Sequence, residues 1–115
     1  MAAQECIFCA IAQGAIPAEK LYDDGTVFAI ADLSPVAPTH LLLIPHAHVD
    51  ALADENADAL NAAARCLAAA PEVAQGAGVV DGGYRLVANQ GADAGQVVAH
   101  FHLHLLAGRG LGAMG

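Results

Sequence analysis

The sequence predicts one small domain of mixed strands and helices, and three stretches carry that prediction. His100-Phe101-His102-Leu103-His104-Leu105-Leu106 alternates imidazole with apolar side chains, which is the period of a strand. His40-Leu41-Leu42-Leu43-Ile44 is a continuous apolar run ended by Pro45, as in a strand covered on both faces. Between them, from Asp54 to about Ala74, lies an alanine-rich stretch with helical spacing and an acidic start. The 115 residues suffice for one domain with its own core, and neither an internal repeat nor a domain boundary is visible.

Taken in order, Glu5 to Gln13 reads as a short helix closed by Gly14, with Ile7, Phe8 and Ile11 on one apolar face. Ile16-Pro17 then breaks the chain. Lys20-Leu21-Tyr22 starts a strand, Asp23-Asp24-Gly25 turns, and Thr26 to Ala31 returns as the second arm of a hairpin. Asp32 to Pro38 is a loop, because Pro35 and Pro38 exclude a helix. His46 and His48 follow the His40–Ile44 strand in another loop. Asp54 is the expected N-cap of the long helix, and Leu60, Ala63, Ala64 and Leu67 are its expected apolar stripe. Pro71 is expected to kink or end that helix, and Gly76 and Gly78 to release the chain. Asp81-Gly82-Gly83 turns into a strand from Tyr84 to Ala88. Asn89 to Gln96 is a small polar loop whose glycines let backbone N–H groups approach a ligand. The histidine strand follows, and a short tail begins at Gly108.

Composition narrows the function. Apolar residues make up 57% of the chain, yet it has no Trp, three Phe and two Tyr. Large core side chains are scarce, so added burial at a dimer interface is expected. The net charge of −8 with only four Lys and Arg argues against a broad nucleic-acid or anionic-membrane surface. A small phosphate ligand needs only local donors and stays open. The N-terminus has no basic region followed by a long apolar run, and no apolar run is long enough to span a membrane, so a cytoplasmic location is expected. In a reducing compartment the Cys6-x-x-Cys9 pair points to metal or redox chemistry rather than to a structural disulfide. Cys66, inside a helical pattern, reads as a small buried apolar residue.

The histidine row carries the chemistry. A strand places all three imidazoles on one face, roughly 7 Å apart, opposite Phe101, Leu103 and Leu105. A polar outer face would explain one histidine, but not three of the chain's six in strict alternation. Neutral imidazole is a good nucleophile near pH 7, so the row offers a firmly held attacking group. The rival is a metal hydrolase using His100, His102 and His104. Its first and third ligands would lie about 13 Å apart, and Cys6 and Cys9 would have no part in it.

The run H-φ-H-φ-H-φ-φ (φ apolar) resembles the signature of the histidine triad (HIT) family of nucleotide hydrolases and transferases. Cys6-Ile7-Phe8-Cys9, Ile16-Pro17-Ala18, Asp32-Leu33-Ser34-Pro35, Ala37-Pro38-Thr39-His40, Ile44-Pro45, Gly83-Tyr84-Arg85-Leu86-Val87, Asn89-x-Gly91 and Gly95-Gln96 are similar in order and spacing to its Hint-like branch. The resemblance runs from about residue 5 to Gly108. It implies an α+β, HIT-like fold: an antiparallel sheet of about five strands, one main helix and a short N-terminal helix, paired into a homodimer. It implies hydrolysis of a purine nucleoside phosphoramidate or related purine nucleotide conjugate at the α-phosphate, through a nucleotidyl-histidine intermediate, with release of a nucleoside monophosphate.

Carried over residue by residue, the resemblance makes His102 the nucleophile. His104 stabilises the phosphoryl oxygens or moves a proton, and His40 orients the row beside His100. Asn89 and Gln96 donate to the phosphate, Asp32 accepts from the ribose hydroxyls, and Ile7, Phe8, Ile11 and Leu33 form an apolar slot for the base. Taken alone, Asp32 could be a loop cap, Asn89 a turn residue and the apolar set ordinary core; His102 has no such ordinary explanation. The resemblance also implies structural zinc on Cys6, Cys9, His48 and His100, not required for the chemistry, with His46 a rival ligand to His48. Three features depart from the family pattern. Val97 stands where Ser is usual, His46-Ala47 where Lys is frequent, and the tail from Gly110 lacks an aromatic residue. These bear on the substrate more than on the nucleophile. A second reading, a purine-nucleotide-binding module with little turnover, is mildly favoured by Val97.

Overall fold

The computed structural model describes residues 6–50, 52, 53 and 55–114. A short helix α1 (Ile7–Ala12) precedes a five-stranded sheet built from β1 (Tyr22–Asp23), β2 (Val27–Ala31), β3 (Thr39–Pro45), β4 (Tyr84–Ala88) and β5 (Leu103–Ala107), with helix α2 (Ala57–Ala77) inserted between β3 and β4. The strand order is β1-β2-β3-β5-β4, and every neighbouring pair is antiparallel. This is the α+β architecture expected.

β3 lies at the centre and is buried from His40 to Pro45. Its alternate side chains go to two different cores. Leu41 and Leu43 join Val27, Ala29, Leu103 and Leu105 under α2. Leu42 and Ile44 join Phe28 and Ile30 under α1. Burial on both faces is why this strand reads as an unbroken apolar run. The hairpin before it is tied by Asp24, whose Oδ1 accepts from the N–H groups of Thr26 at 2.8 Å and Val27 at 2.7 Å.

α2 departs from the expectation in three respects. Its N-cap is Asn56, whose side chain accepts from the Ala59 N–H at 3.1 Å; Asp54, the expected cap, lies outside the described residues. The helix also continues past Pro71 and Gly76 as one element of 21 residues rather than ending there. Ala69, Ala70, Val73 and Ala74 are buried on both sides of Pro71, and this packing outweighs the lost hydrogen bond. Pro71 and Leu67 are both exposed, so the carbonyl that Pro71 leaves without its donor is on the solvent side. Finally, the buried stripe is Ala59, Cys66, Ala69, Ala70, Val73 and Ala74, while Leu60 and Leu67 are 44% and 53% exposed. In a helix this rich in alanine the apolar pattern does not set the rotation. The large side chains come from the sheet, and the small face of the helix settles onto them. Gly78, at φ 72°, closes the helix: its N–H bonds the Gln75 carbonyl and the Val79 N–H bonds the Ala74 carbonyl, both at 3.1 Å.

The histidine strand starts later than expected, at Leu103 rather than His100. The last β3 and β4 partners on this side are Leu43 and Ala88, both opposite Leu103. Beyond them Ile44 and Pro45 pair only with β2, and the chain after Ala88 turns away. The alternation of faces survives without the ladder. Phe101, Leu103, Leu105 and Ala107 pack under α2, while His100, His102 and His104 lie on the α1 side.

Candidate active site

Hydrogen bonds at the imidazoles fix what each nitrogen can do. His102 Nδ1 is 2.8 Å from the His100 carbonyl oxygen. A carbonyl only accepts, so Nδ1 carries the proton and Nε2 keeps a free lone pair. The Val36 N–H donates to His40 Nδ1 at 3.1 Å, which leaves the His40 proton on Nε2. That Nε2–H donates to His104 Nδ1 at 2.9 Å, with Asp32 Oδ2 3.4 Å from the same nitrogen. His104 therefore carries its proton on Nε2. The rings of His102 and His104 are 5.1 Å apart, centroid to centroid, and inclined at 61°. They sit closer than the roughly 7 Å that strand rise alone predicts. The row thus sets an imidazole lone pair beside an imidazole N–H donor.

His104 keeps that role over a wide range. Burial, then the neighbouring charges of His102 and His40, push its pKa down from 6.5 to about 4, against the opposing pull of Asp32. At neutral pH it is an uncharged donor. Between pH 6.5 and about 4 the unfolded chain takes up a proton that the folded His104 refuses, so stability falls as pH falls. This group contributes a loss of up to about 3 kcal/mol. Chemical denaturation of the wild type and of His104→Asn at pH 7 and again in acid should show a smaller acid loss in the variant.

A second constellation lies behind the row. Cys6 Sγ is 3.3 Å and Cys9 Sγ 3.6 Å from His100 Nδ1, and Cys9 Sγ is 3.2 Å from His48 Nδ1. The four ligand atoms of Cys6, Cys9, His48 and His100 all lie within 4.8 Å of one another. His100, fully buried, donates its Nε2–H to the Pro45 carbonyl at 2.9 Å, so its Nδ1 lone pair faces the thiols. Tetrahedral zinc with sulfur at about 2.3 Å and nitrogen at about 2.0 Å has S···N edges of about 3.5 Å. The donor set and its spacing fit such an ion, and the Pro45 carbonyl is the outer partner that a ligating histidine needs. Burial first, then Cys6, pushes the Cys9 thiol up to about 11, the reverse of what a bound cation does to a thiol. The choice between the two loop histidines is plain. His48 joins the cluster, while His46 Nε2 bonds Asp23 Oδ1 at 2.8 Å and its ring lies against Phe28.

The remaining expected residues fall in different places. Asp32 Oδ1 accepts from the Ser34 N–H at 2.8 Å, capping its loop while Oδ2 reaches toward His40. Gln96 braces its own loop: Oε1 accepts from the Gly91 N–H at 2.8 Å, and Nε2 donates to the Val98 carbonyl at 3.3 Å and Asp50 Oδ1 at 3.4 Å. Asn89 is half-buried at the start of that loop. The expected base slot is split. Phe8 and Ile11 are core residues, whereas Ile7 is 44% and Leu33 96% exposed. Sequence reasoning missed the Val36 N–H and the His100 and Pro45 carbonyls, which set the tautomers. Backbone groups carry no residue-type signal.

The HIT domain profile matches residues 13–111. The chain belongs to the HIT family. It is 41% identical over 112 residues to a purine nucleoside phosphoramidase of Escherichia coli strain K12, covering 97% of this chain and 94% of that protein. Protein HitA of Neisseria gonorrhoeae is 40% identical, covering 88% of this chain and 94% of its own. Among solved structures, a histidine triad protein from Clostridium difficile superposes with a TM-score of 0.90 at 39% identity, covering all of both chains. A HIT family hydrolase from Legionella pneumophila does so with 0.83 at 47% identity, covering 91% of this chain and 94% of that one. The chain is an enzyme of the HIT hydrolase type. Among the described residues no helix is long and apolar enough to cross a membrane.

Proposed function

We propose that this HIT enzyme hydrolyses purine nucleoside phosphoramidates, or related purine nucleotide conjugates, at the α-phosphorus through a nucleotidyl-His102 intermediate. One observation carries the reading: His102 has its Nδ1–H committed to the His100 carbonyl, and so presents a free Nε2 beside the N–H donor of His104. Nε2 attacks phosphorus, the bond from phosphorus to the leaving amine breaks, and the amine takes a proton from solvent. His104 Nε2–H donates to a phosphoryl oxygen as charge develops there. Water then attacks phosphorus, the P–N bond to His102 breaks, and the products are the monophosphate, a proton and the free imidazole. Splitting the reaction replaces one hard displacement by two easier ones. Asp32 accepts from the ribose, and Asn89, Gln96 and the loop amides serve the phosphate. Ile7 and Leu33, the exposed pair of the expected slot, flank the base, with Phe8 and Ile11 packed behind them.

The same reading includes zinc at Cys6, Cys9, His48 and His100, where it cross-links α1, the loop after β3 and the segment before β5. It also includes a cytoplasmic homodimer without nucleic-acid or membrane partners. The dimer is supported by the leucines on the outer face of α2, and the missing nucleic-acid partner by the charge of −8. Rapid quenching with an adenosine phosphoramidate, followed by intact mass, tests the chemistry. A transient gain of one nucleotidyl group is expected. The alternative, a nucleotide-binding module with little turnover, is favoured by Val97, 91% exposed in the phosphate loop with no hydroxyl to offer. It would be supported by binding without adduct or released monophosphate.

A further inference from the structure

The nucleophile stands outside the sheet's hydrogen-bonded ladder. β5 pairs with β3 and β4 only from Leu103 onward, so His100, Phe101 and His102 take no register from a neighbouring strand. Other contacts hold them. The Phe101 N–H donates to the Val49 carbonyl at 2.6 Å, in the loop that carries His48. His100 is fastened at both nitrogens, by the Pro45 carbonyl and by the thiols of Cys6 and Cys9. Its own carbonyl then takes the Nδ1–H of His102 at 2.8 Å. Phe8, carried between the two cysteines on α1, sets its ring edge-on to both imidazoles. The centroids are 5.7 Å from His100 and 5.1 Å from His102.

We propose that the four-ligand cluster, with its metal bound, positions the nucleophile: His100 through its carbonyl, and Phe8 through its ring, hold His102 with Nδ1 protonated and Nε2 free. The proposal rests on the reading of His102 as the nucleophile. The tautomer of an imidazole follows the hydrogen bond made by its other nitrogen. Here that partner is a backbone carbonyl whose residue would be anchored by ligation at one nitrogen and by the Pro45 carbonyl at the other, rather than by strand pairing. With the anchor gone, the carbonyl wanders and a share of His102 carries its proton on Nε2, where no attack is possible. His100 and Phe8 are positioning residues in this scheme, and the metal takes no part in the bond changes.

Ring 15N–1H spectra of the full chain test this, zinc-loaded and after chelator treatment at a temperature where circular dichroism shows it folded. The loaded protein should show His102 in the Nδ1–H form alone, and the depleted protein a mixture of both tautomers. The nucleotidyl adduct should form roughly tenfold more slowly after depletion. At saturating zinc, His48→Gln should reproduce the mixture, and His48→Cys, which restores a four-ligand set of a kind suited to zinc, should recover both tautomer and rate. If depletion unfolds the chain, the two His48 variants decide by the same readings. An unchanged tautomer and an unchanged adduct rate in the depleted protein and in His48→Gln would overturn the proposal. A tautomer that responds to zinc in a protein that never forms an adduct would leave the positioning intact and remove the proposed reaction.

Discussion

His102→Gly is expected to lower phosphoramidate hydrolysis at least about 10⁴-fold while nucleotide binding changes little. The side chain is half-buried on the α1 side, and its one hydrogen bond runs to a carbonyl two residues back, so the variant should fold. What disappears is the only imidazole of the row with an unshared Nε2 lone pair in place. Added imidazole can enter the space left by the ring, and should restore part of the rate without forming a protein-bound nucleotide. His104→Gln should cost less, about 10²–10³-fold, as the loss of one oxyanion donor does, and should still form the adduct. Stopped-time assays with intact mass on both variants make the comparison. A deficit in His102→Gly no larger than that of His104→Gln would remove His102 from the nucleophile's place.

Metal removal is expected to have the largest effect on stability. Cys6 and His100 are essentially inaccessible, and the cluster joins three segments that share no strand pairing: α1, the loop after β3, and residues 100–102. The chain keeps a separate core under α2, so it should remain folded in the cold after chelation. The loss should be about 3 kcal/mol or more, well below the 10–16 kcal/mol of a domain that zinc alone folds. For a domain of this size that is a fall in Tm of about 10 °C or more. Calorimetry with and without chelator measures it. Cys6→Ala should start at the lower Tm and show no further response to chelator. A wild type whose Tm ignores chelator, and which carries no zinc by elemental analysis, would make the cluster a set of buried side chains and nothing more.

The parts of the fold that were legible in the sequence are those where geometry leaves a periodic trace. β3 is an unbroken apolar run because both its faces are covered, and the histidine row alternates because one face meets α2 and the other α1. The rotation of α2 left no such trace. Alanine buries or exposes at little cost, so Leu60 and Leu67 looked like the stripe when Cys66 and Val73 lie beneath. At the site, residue types singled out the imidazoles that the fold brings together, but not their protons. Those are set by Val36, His100 and Pro45 through backbone atoms common to every residue. Likewise His46 and His48 are indistinguishable by type. Asp23 and Phe28 decide between them by capturing the first.

The uncharged state of His104 has a consequence for how a phosphate would be held. Lys20 lies over the Phe28 ring, Arg85 bonds the Gly112 carbonyl, and Arg109 bonds the carbonyls of Val36 and Gly110. Arg65, the fourth cation, lies on α2, across the sheet from the imidazoles. With His104 neutral as well, a nucleotide bound as proposed would meet dipoles more than a field of positive charge. Dissolved ions screen charge over distances of about 10 Å at 0.1 M, but they leave short N–H contacts largely alone. Ligand affinity in such a site would be set by directional fit, and is expected to persist in brine that would strip a phosphate from a lysine-lined groove.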